Sequence, residues 1–457
     1  MSSSLQRLLK YCAVSLLFIA TNCKENKKVN YDLIIANVGL IDGIGNPLKP
    51  NCHIGVREGI ISRIAISDLG NARQIIDGKG KYLIPGLFDA HVHTTNFEED
   101  YKRFIHFGIT SIFVPGGSTA SNEYYTAMRA LSAQDSLPSP RLYHTSQHFT
   151  MEGRHPVKTY NNGRWIEGLT VFYLRDTVQI KSLVAAAVKH PIAGIKLTIE
   201  EGPTPPYVKR IPQEFVDKVS LEARKNGVEV FAHVSDNTEL RMAIKARIKN
   251  LLHYTGVNID FKKDAELVDS IIAADISWVT TLMLDKRVLY PLNPDWINEV
   301  EKLEVYPQAE VEQMKSPEAI EKAKVYQQLL AEFYHLEKPT FENMIKPQAD
   351  QIRILQDKGV NMVIGTDTGN EFIFPGFSVH EEMQMMQFGG ISPRDIIKMA
   401  SWNAAKMFKV DDKLGSIEEG KLADMILLSS NPLEDIRNTR DIHMVIKNGR
   451  IQQRFGN

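Results

Sequence analysis

The sequence predicts an α/β fold: a (β/α)8 TIM barrel with a small β-sandwich domain formed by the N- and C-terminal segments. Three observations predict it. Strand and helix signals alternate through the middle of the chain, short strands crowd both ends, and 457 residues fit a large barrel plus a satellite better than one small domain. Alternation argues for parallel strands, because a parallel pair needs a crossover connection between its members. The strand candidates are residues 86–93, 110–115, 141–147, 194–198, 229–234, 250–254, 276–282 and 361–367. Helical patterns separate them, as at 212–226 and 238–248. Eight such units closing on themselves give a barrel.

The terminal strands are read from their turns. Leu33-Ile34-Ile35, His53-Ile54-Gly55-Val56 and Ile60-Ile61-Ser62-Arg63-Ile64 are set apart by Asp42-Gly43, Asn46-Pro47 and Glu58-Gly59. Ala423-Asp424-Met425-Ile426-Leu427-Leu428 and residues 444–450 read the same way. Neither set can bury a core alone, so 31–84 and 410–457 are expected to form one small domain beside the barrel at 85–409. Two stretches exceed the needs of a plain barrel: 150–175 after the third strand and 285–345 after the seventh. Loops after barrel strands lie on the catalytic face, so both are candidate lids or pocket walls.

Composition narrows the function classes. Hydrophobic residues make up 43% and charged residues 24%, with a formal net charge of −1. That is a globular protein with a full core and no electrostatic reason to bind nucleic acid or another polyanion. The three cysteines, Cys12, Cys23 and Cys52, exclude a disulfide framework, and no Cys-x-x-Cys pair offers a thiolate zinc site. Residues 1–23 read as an export segment. Arg7 and Lys10 precede an apolar run of about ten residues, too short to span a bilayer. Ala20-Thr21-Asn22-Cys23 resembles a bacterial lipoprotein cleavage site, with Asn22 and Ala20 departing from the usual residues. Cys23 is the expected lipid attachment point and 24–30 a polar tether, with plain export or an uncleaved anchor as the alternatives. The expected location is the cell envelope, periplasmic or lipid-anchored, with membrane contact only through that anchor.

The chemistry is concentrated at strand ends. Pro85-Gly86-Leu87-Phe88-Asp89-Ala90-His91-Val92-His93 places two histidines two residues apart, which in a strand puts both on one face, suited to clasp one ion. His233 ends the run Val230-Phe231-Ala232, His253 ends Asn250-Leu251-Leu252, and Asp367 ends Met362-Val363-Ile364-Gly365-Thr366. A single histidine of this kind is more often a hydrogen-bonded core residue. Four histidines and an aspartate at the same end of one barrel are hard to place that way. Lys196, in Gly194-Ile195-Lys196-Leu197-Thr198, sits at the same level. Beside two divalent ions a protonated lysine would suffer repulsion and desolvation, whereas a neutral amine can add carbon dioxide and become an anionic carbamate.

These residues, the flanking β segments and the turn Glu419-Gly420-Lys421-Leu422-Ala423-Asp424 resemble the amidohydrolase superfamily over nearly all of the chain beyond its export segment. The resemblance implies two divalent metal ions. His91, His93 and Asp367 would hold the buried ion, His233 and His253 the exposed one, and carboxylated Lys196 would bridge them. Zinc suits this mixed donor set, as do cobalt, manganese and iron. A hydroxide shared by the ions would attack a scissile amide, with Asp367 carrying the proton to the leaving nitrogen.

The motif order is most similar to the branch holding imidazolonepropionase-related and prolidase-like dipeptidases. The text after Lys196, Thr198-Ile199-Glu200-Glu201-Gly202-Pro203, departs from the Gly-rich sequence common there, so dipeptide, N-acyl and cyclic amides all stand as small-molecule substrates. Candidate pocket residues are His144, His148, Arg154, His155 and Tyr207, of which Arg154 could pair with a substrate carboxylate. Two rivals remain. A mononuclear deaminase would carry an acid three residues after the fifth-strand histidine, where Asp236 stands, although glutamate is usual there. A surface lipoprotein that has lost catalysis is the other.

Overall fold

The protein is described by a computed structural model covering residues 30–455, except 94–95, 118–119, 135–136, 161–162, 203–206, 255–258, 262 and 338. The expected export segment, tether and Cys23 lie outside the described residues. Among the described residues no helix is long and apolar enough to cross a membrane.

Five strands open the chain: β1 (Tyr31–Leu40), β2 (Lys49–Arg57), β3 (Ile60–Ala65), β4 (Ala72–Asp77) and β5 (Tyr82–Pro85). Three follow as a parallel set: β6 (Leu87–Asp89), β7 (Ile109–Val114) and β8 (Arg141–His144). Seven more form a second parallel set: β9 (His148–Thr150), β10 (Val171–Tyr173), β11 (Gly194–Thr198), β12 (Glu229–His233), β13 (Asn250–Leu252), β14 (Ser277–Val279) and β15 (Asn361–Val363). The chain closes with β16 (Met425–Leu428), β17 (Ile442–Lys447) and β18 (Arg450–Ile451).

Strands from both ends of the chain join in one eight-stranded sheet, ordered β18-β17-β16-β5-β1-β2-β3 with β4 also on β1. Among the described residues these strands make one continuous hydrogen-bonded sheet, where the sequence predicts a sandwich. Its hairpins follow from turn chemistry. Glu58-Gly59 and Asn448-Gly449 both take positive φ at both positions, the requirement of a two-residue hairpin loop that matches strand twist. Strand alternation then gives the sheet two buried faces. Leu83, Met425 and Leu427 join its own core with Ile35 and Ile54, while Ile84, Ile426 and Leu428 pack into the main core.

The parallel strands alternate with helices as expected, for instance Gln213–Lys225 and Asn237–Lys245. All eight expected strands are present, but the barrel is not closed as one ladder. Two arcs, β6-β7-β8 and β10-β9-β11-β12-β13-β14-β15, meet at seams crossed by single bonds. At one seam the Ala90 and Asp367 N–H groups donate to the Ile364 and His91 carbonyls at 3.1 and 2.9 Å. At the other, the Ala193 and Ser146 N–H groups donate to the His144 and Gly194 carbonyls at 2.7 and 2.8 Å. The expected third strand, 141–147, ends early at His144. Thr145 and Ser146 hydroxyls donate to backbone carbonyls of their neighbours, which competes with ladder pairing. Phe88, Phe113, Phe231, Leu252, Val279 and Val363 fill the interior against Phe408. That packed floor leaves room for chemistry only at the C-terminal strand ends.

Candidate metal centre

Beyond the end of β6, the chain runs through His91 and His93 with Val92 between them. Val92 forms a single bridge with Thr368 and packs into the main core, so the flanking imidazoles share the other side. Buried Asp89 fixes this segment. It accepts the His91 N–H at 3.2 Å, the Thr366 N–H at 3.0 Å and the Thr366 hydroxyl at 2.6 Å. Burial drives its carboxyl up to about 7 in spite of those bonds. The strand end bearing His91 is thereby tied to the one bearing Asp367.

His91 Nε2 and His93 Nε2 face one another at 3.1 Å, and Asp367 Oδ1 lies 3.5 and 3.4 Å from them. His93 Nδ1 is 2.8 Å from the Gly116 carbonyl, so that nitrogen carries the proton and Nε2 keeps its lone pair toward the centre. His253 Nδ1 meets the Thr281 hydroxyl at 3.1 Å. The His253 ring centroid is 4.3 Å from that of His91 and 4.0 Å from that of His233. Lys196, on β11, is fully buried and lines the same cavity. Asp367 and His253 both hold φ +64°, a left-handed conformation that costs a non-glycine residue about 1–3 kcal/mol and concentrates at functional sites.

Burial keeps the histidines neutral, the form in which they can ligate. Burial, reinforced by the neighbouring histidines and Lys196, pushes His91, His148 and His253 well below the ordinary imidazole range and His93 down to about 3. Burial also lowers His233 to about 4, against the pull of Glu200. It pushes the Lys196 amine down, opposed by Asp367 and Glu200, and the Asp367 carboxyl up, opposed by Lys196.

A divalent cation fits the inner set. A single shared proton can serve one of the three contacts among His91, His93 and Asp367, not all of them. Asp367 Oδ1 is buried without a hydrogen-bond partner among the described residues. Bonds of about 2.0–2.1 Å to a tetrahedral zinc ion place neighbouring ligand atoms about 3.4 Å apart, close to the separations here.

A second cluster lies beside the first. Glu200, two residues past β11 and 2% exposed, has Oε1 2.6 Å from His155 Nε2 and Oε2 2.7 Å from His233 Nε2. Burial works to raise its carboxyl, but the two imidazoles outweigh burial and hold it well below the usual range. Asp367 is a carboxylate donor expected from the sequence, and Glu200 is not singled out there. Its signal was present: Lys196, Thr198 and Glu200 are spaced to share one face of an extended segment.

The cavity above these residues measures about 1150 Å³. His148 lines it, with Nδ1 2.9 Å from the Thr198 hydroxyl. The 150–175 segment supplies His155, Pro156, Tyr160 and Trp165, and the long insertion supplies Glu310 and Gln313. Three expected pocket residues lie outside this lining. His144 is fully buried against Tyr125, with Nδ1 turned to the Thr145 carbonyl at 3.0 Å; Arg154 is not part of the wall; and Tyr207 is 52% exposed. Asp236, the residue at the deaminase spacing, caps the helix Asn237–Lys245 through the Glu239 N–H and pairs with Arg210.

Comparison with known proteins follows this geometry. An ochratoxinase from Aspergillus niger is 24% identical over 443 residues, covering 87% of this chain and 81% of that enzyme. A dihydroorotase from Pyrococcus furiosus is 43% identical over 67 residues, which span only 15% of this chain and 16% of the enzyme. A crystal structure of a Xaa-Pro dipeptidase with methionine in its active site shares the fold at a TM-score of 0.68 and 23% identity, covering 92% of this chain and 99% of that one. The model of the amidohydrolase family matches residues 82–452, a span that holds both seams of the parallel strands and every residue of the two clusters, and the chain belongs to that family of hydrolases acting on carbon–nitrogen bonds.

Proposed function

We propose that this chain hydrolyses the carbon–nitrogen bond of a small amide, a dipeptide, N-acyl or cyclic amide, at a centre of two divalent cations, with zinc best suited to the donors. The observation that carries this reading is the convergence of His91 Nε2, His93 Nε2 and Asp367 Oδ1 within 3.5 Å of one another, with no proton arrangement that satisfies all three. The dipeptidase that shares the fold supports an amide substrate.

His91, His93 and Asp367 would hold the inner cation, and His233 and His253 the outer one. Divalent cations bound there supply Lewis acidity, which lowers the pKa of water and polarises a carbonyl. Lys196 is read as a carbamate: its neutral amine attacks carbon dioxide, a C–N bond forms and one proton is released. Full burial at this position favours the neutral amine, the form that takes up carbon dioxide, over the ammonium, and the product would be an anion with an oxygen for each cation. Asp367 takes a proton from the attacking water and delivers it to the leaving nitrogen. Tyr160 and Trp165 wall the substrate off from solvent, and the Trp165 indole N–H donates to the Tyr160 carbonyl at 2.9 Å to hold that wall together. On this reading the two arcs of parallel strands are the parts of one barrel, joined at the two seams.

The test is a screen of dipeptides, N-acyl amino acids and cyclic amides against zinc-loaded and chelator-stripped protein. Turnover that disappears with the metal and returns on its addition is expected. Equal turnover in both preparations would refute the reading.

A further inference from the structure

The outer half of the centre offers a cation more than one set of donors. His233 Nε2 is 2.7 Å from Glu200 Oε2, and His155 Nε2 reaches the other oxygen of the same carboxylate at 2.6 Å. One donor atom from each of His155, Glu200 and His233 lies within 4.8 Å of the other two. His155 is posed as metal ligands usually are. Its Nδ1 is anchored 2.5 Å from the Thr159 hydroxyl and its carbonyl accepts the Thr150 hydroxyl at 2.6 Å, which leaves Nε2 as the working atom. His155 and Glu200 are 1% and 2% exposed, so this is a built arrangement rather than a chance pairing of surface groups.

We propose that His155, Glu200 and His233 form a second station for the outer cation, one that needs no carbamate. The inference rests on reading the cavity as a metal centre. In the cation-free form the two imidazoles stand against the two oxygens of the Glu200 carboxylate, and Oε1 is buried without a hydrogen-bond partner among the described residues. A divalent cation would sit between them: each neutral imidazole presents its Nε2 lone pair with its one proton on Nδ1, and the cation meets two neutral nitrogens and one anionic oxygen. His233 has one Nε2, so the two stations exclude each other. The outer cation sits with His253 and the Lys196 carbamate, or with His155 and Glu200. Glu200 supplies the negative charge that Lys196 lacks before it takes up carbon dioxide. The protein thus keeps its outer cation through the loss and regain of the carbamate.

The experiment is a titration of metal-free protein with Co²⁺ in carbon-dioxide-free buffer, followed by bound metal per chain and by visible absorption. Lys196→Ala, which cannot form a carbamate, is expected to bind about two ions per chain. Adding Glu200→Gln or, separately, His155→Gln should weaken the second ion by at least about tenfold. Adding His253→Ala should leave it in place. Thermal melts of the two independent loop variants check that each is folded. Lys196→Ala with a single bound ion, or a second ion indifferent to both Glu200 and His155, overturns the station while leaving a two-ion wild type intact. A wild type that binds no Co²⁺ even with bicarbonate overturns the metal-centre reading itself.

Discussion

The inner and outer halves of the centre are assembled in different ways. His91, His93 and Asp367 stand where β6 and β15 end, and two strands tie them together through Asp89, the Val92–Thr368 bridge and the bond from the Asp367 N–H to the His91 carbonyl. His155 and Glu200 stand on connecting segments and hold their places through each other and through Thr159. The inner half inherits its precision from the sheet. The outer half joins the strand-end histidines His233 and His253 to His155 and Glu200 on loops, which tolerate more than one arrangement. Damage to the inner half should therefore abolish the centre, whereas damage to the outer half should change its properties.

The largest effect is expected at the inner half. Asp367→Asn or His91→Ala should lower amide hydrolysis by at least about 1,000-fold and lose the inner cation, measured by steady-state rates and metal content. An effect within tenfold would show that the strand-borne cluster is not the reacting centre. Lys196→Ala comes next. It should lower kcat by about 100-fold or more, with partial rescue by acetate, and wild-type reconstitution should speed up with bicarbonate. Insensitivity to bicarbonate would count against the carbamate.

Gly369→Ala probes how tightly the inner half is built. Gly369 holds φ +111°, and a Cβ there would lie 2.7 Å from both C and O of the His93 backbone. His93 has to move, so inner-cation affinity should fall by roughly 10–100-fold while the melting curve stays cooperative. The smallest effect on activity concerns His380, a buried histidine with a structural role. Its Nε2–H donates to the Phe107 carbonyl at 2.9 Å and its Nδ1 is 2.8 Å from the Thr439 hydroxyl. Burial lowers it from 6.5 to about 3. Between those pH values the unfolded chain takes a proton that the folded chain refuses, so stability falls as pH drops through that window. His380→Gln should flatten the acid limb of a denaturation–pH curve and leave neutral-pH turnover unchanged. An unaltered acid limb would assign that limb to other groups.

The same contrast explains what could be read from the sequence. Residues on strands announce themselves by period: His91 and His93 two apart, and His233, His253 and Asp367 each closing an apolar run. Lys196 and Glu200 share a face by the same rule, and only the first was taken up. His144 and His148, four apart, looked equivalent until the chain left one arc at His144 and joined the other at His148, which turned one ring into the core and the other into the cavity. Arg154 and Tyr207 sit on segments whose course is set by tertiary packing, and no local pattern placed them. The terminal strands were legible from their Gly turns. Their assembly into one sheet, with alternate residues facing two cores, depends on pairing between β5 and β16, more than 300 residues apart, which local signals do not carry.

The account turns on whether the cavity is a two-cation centre, and one measurement addresses that directly. Metal-free protein is titrated with Zn²⁺ in the presence of bicarbonate, and hydrolysis of the best amide from the screen is followed together with bound metal. Activity should be absent without metal, rise with added zinc and saturate at roughly two ions per chain. Full activity in the metal-free protein would contradict the account.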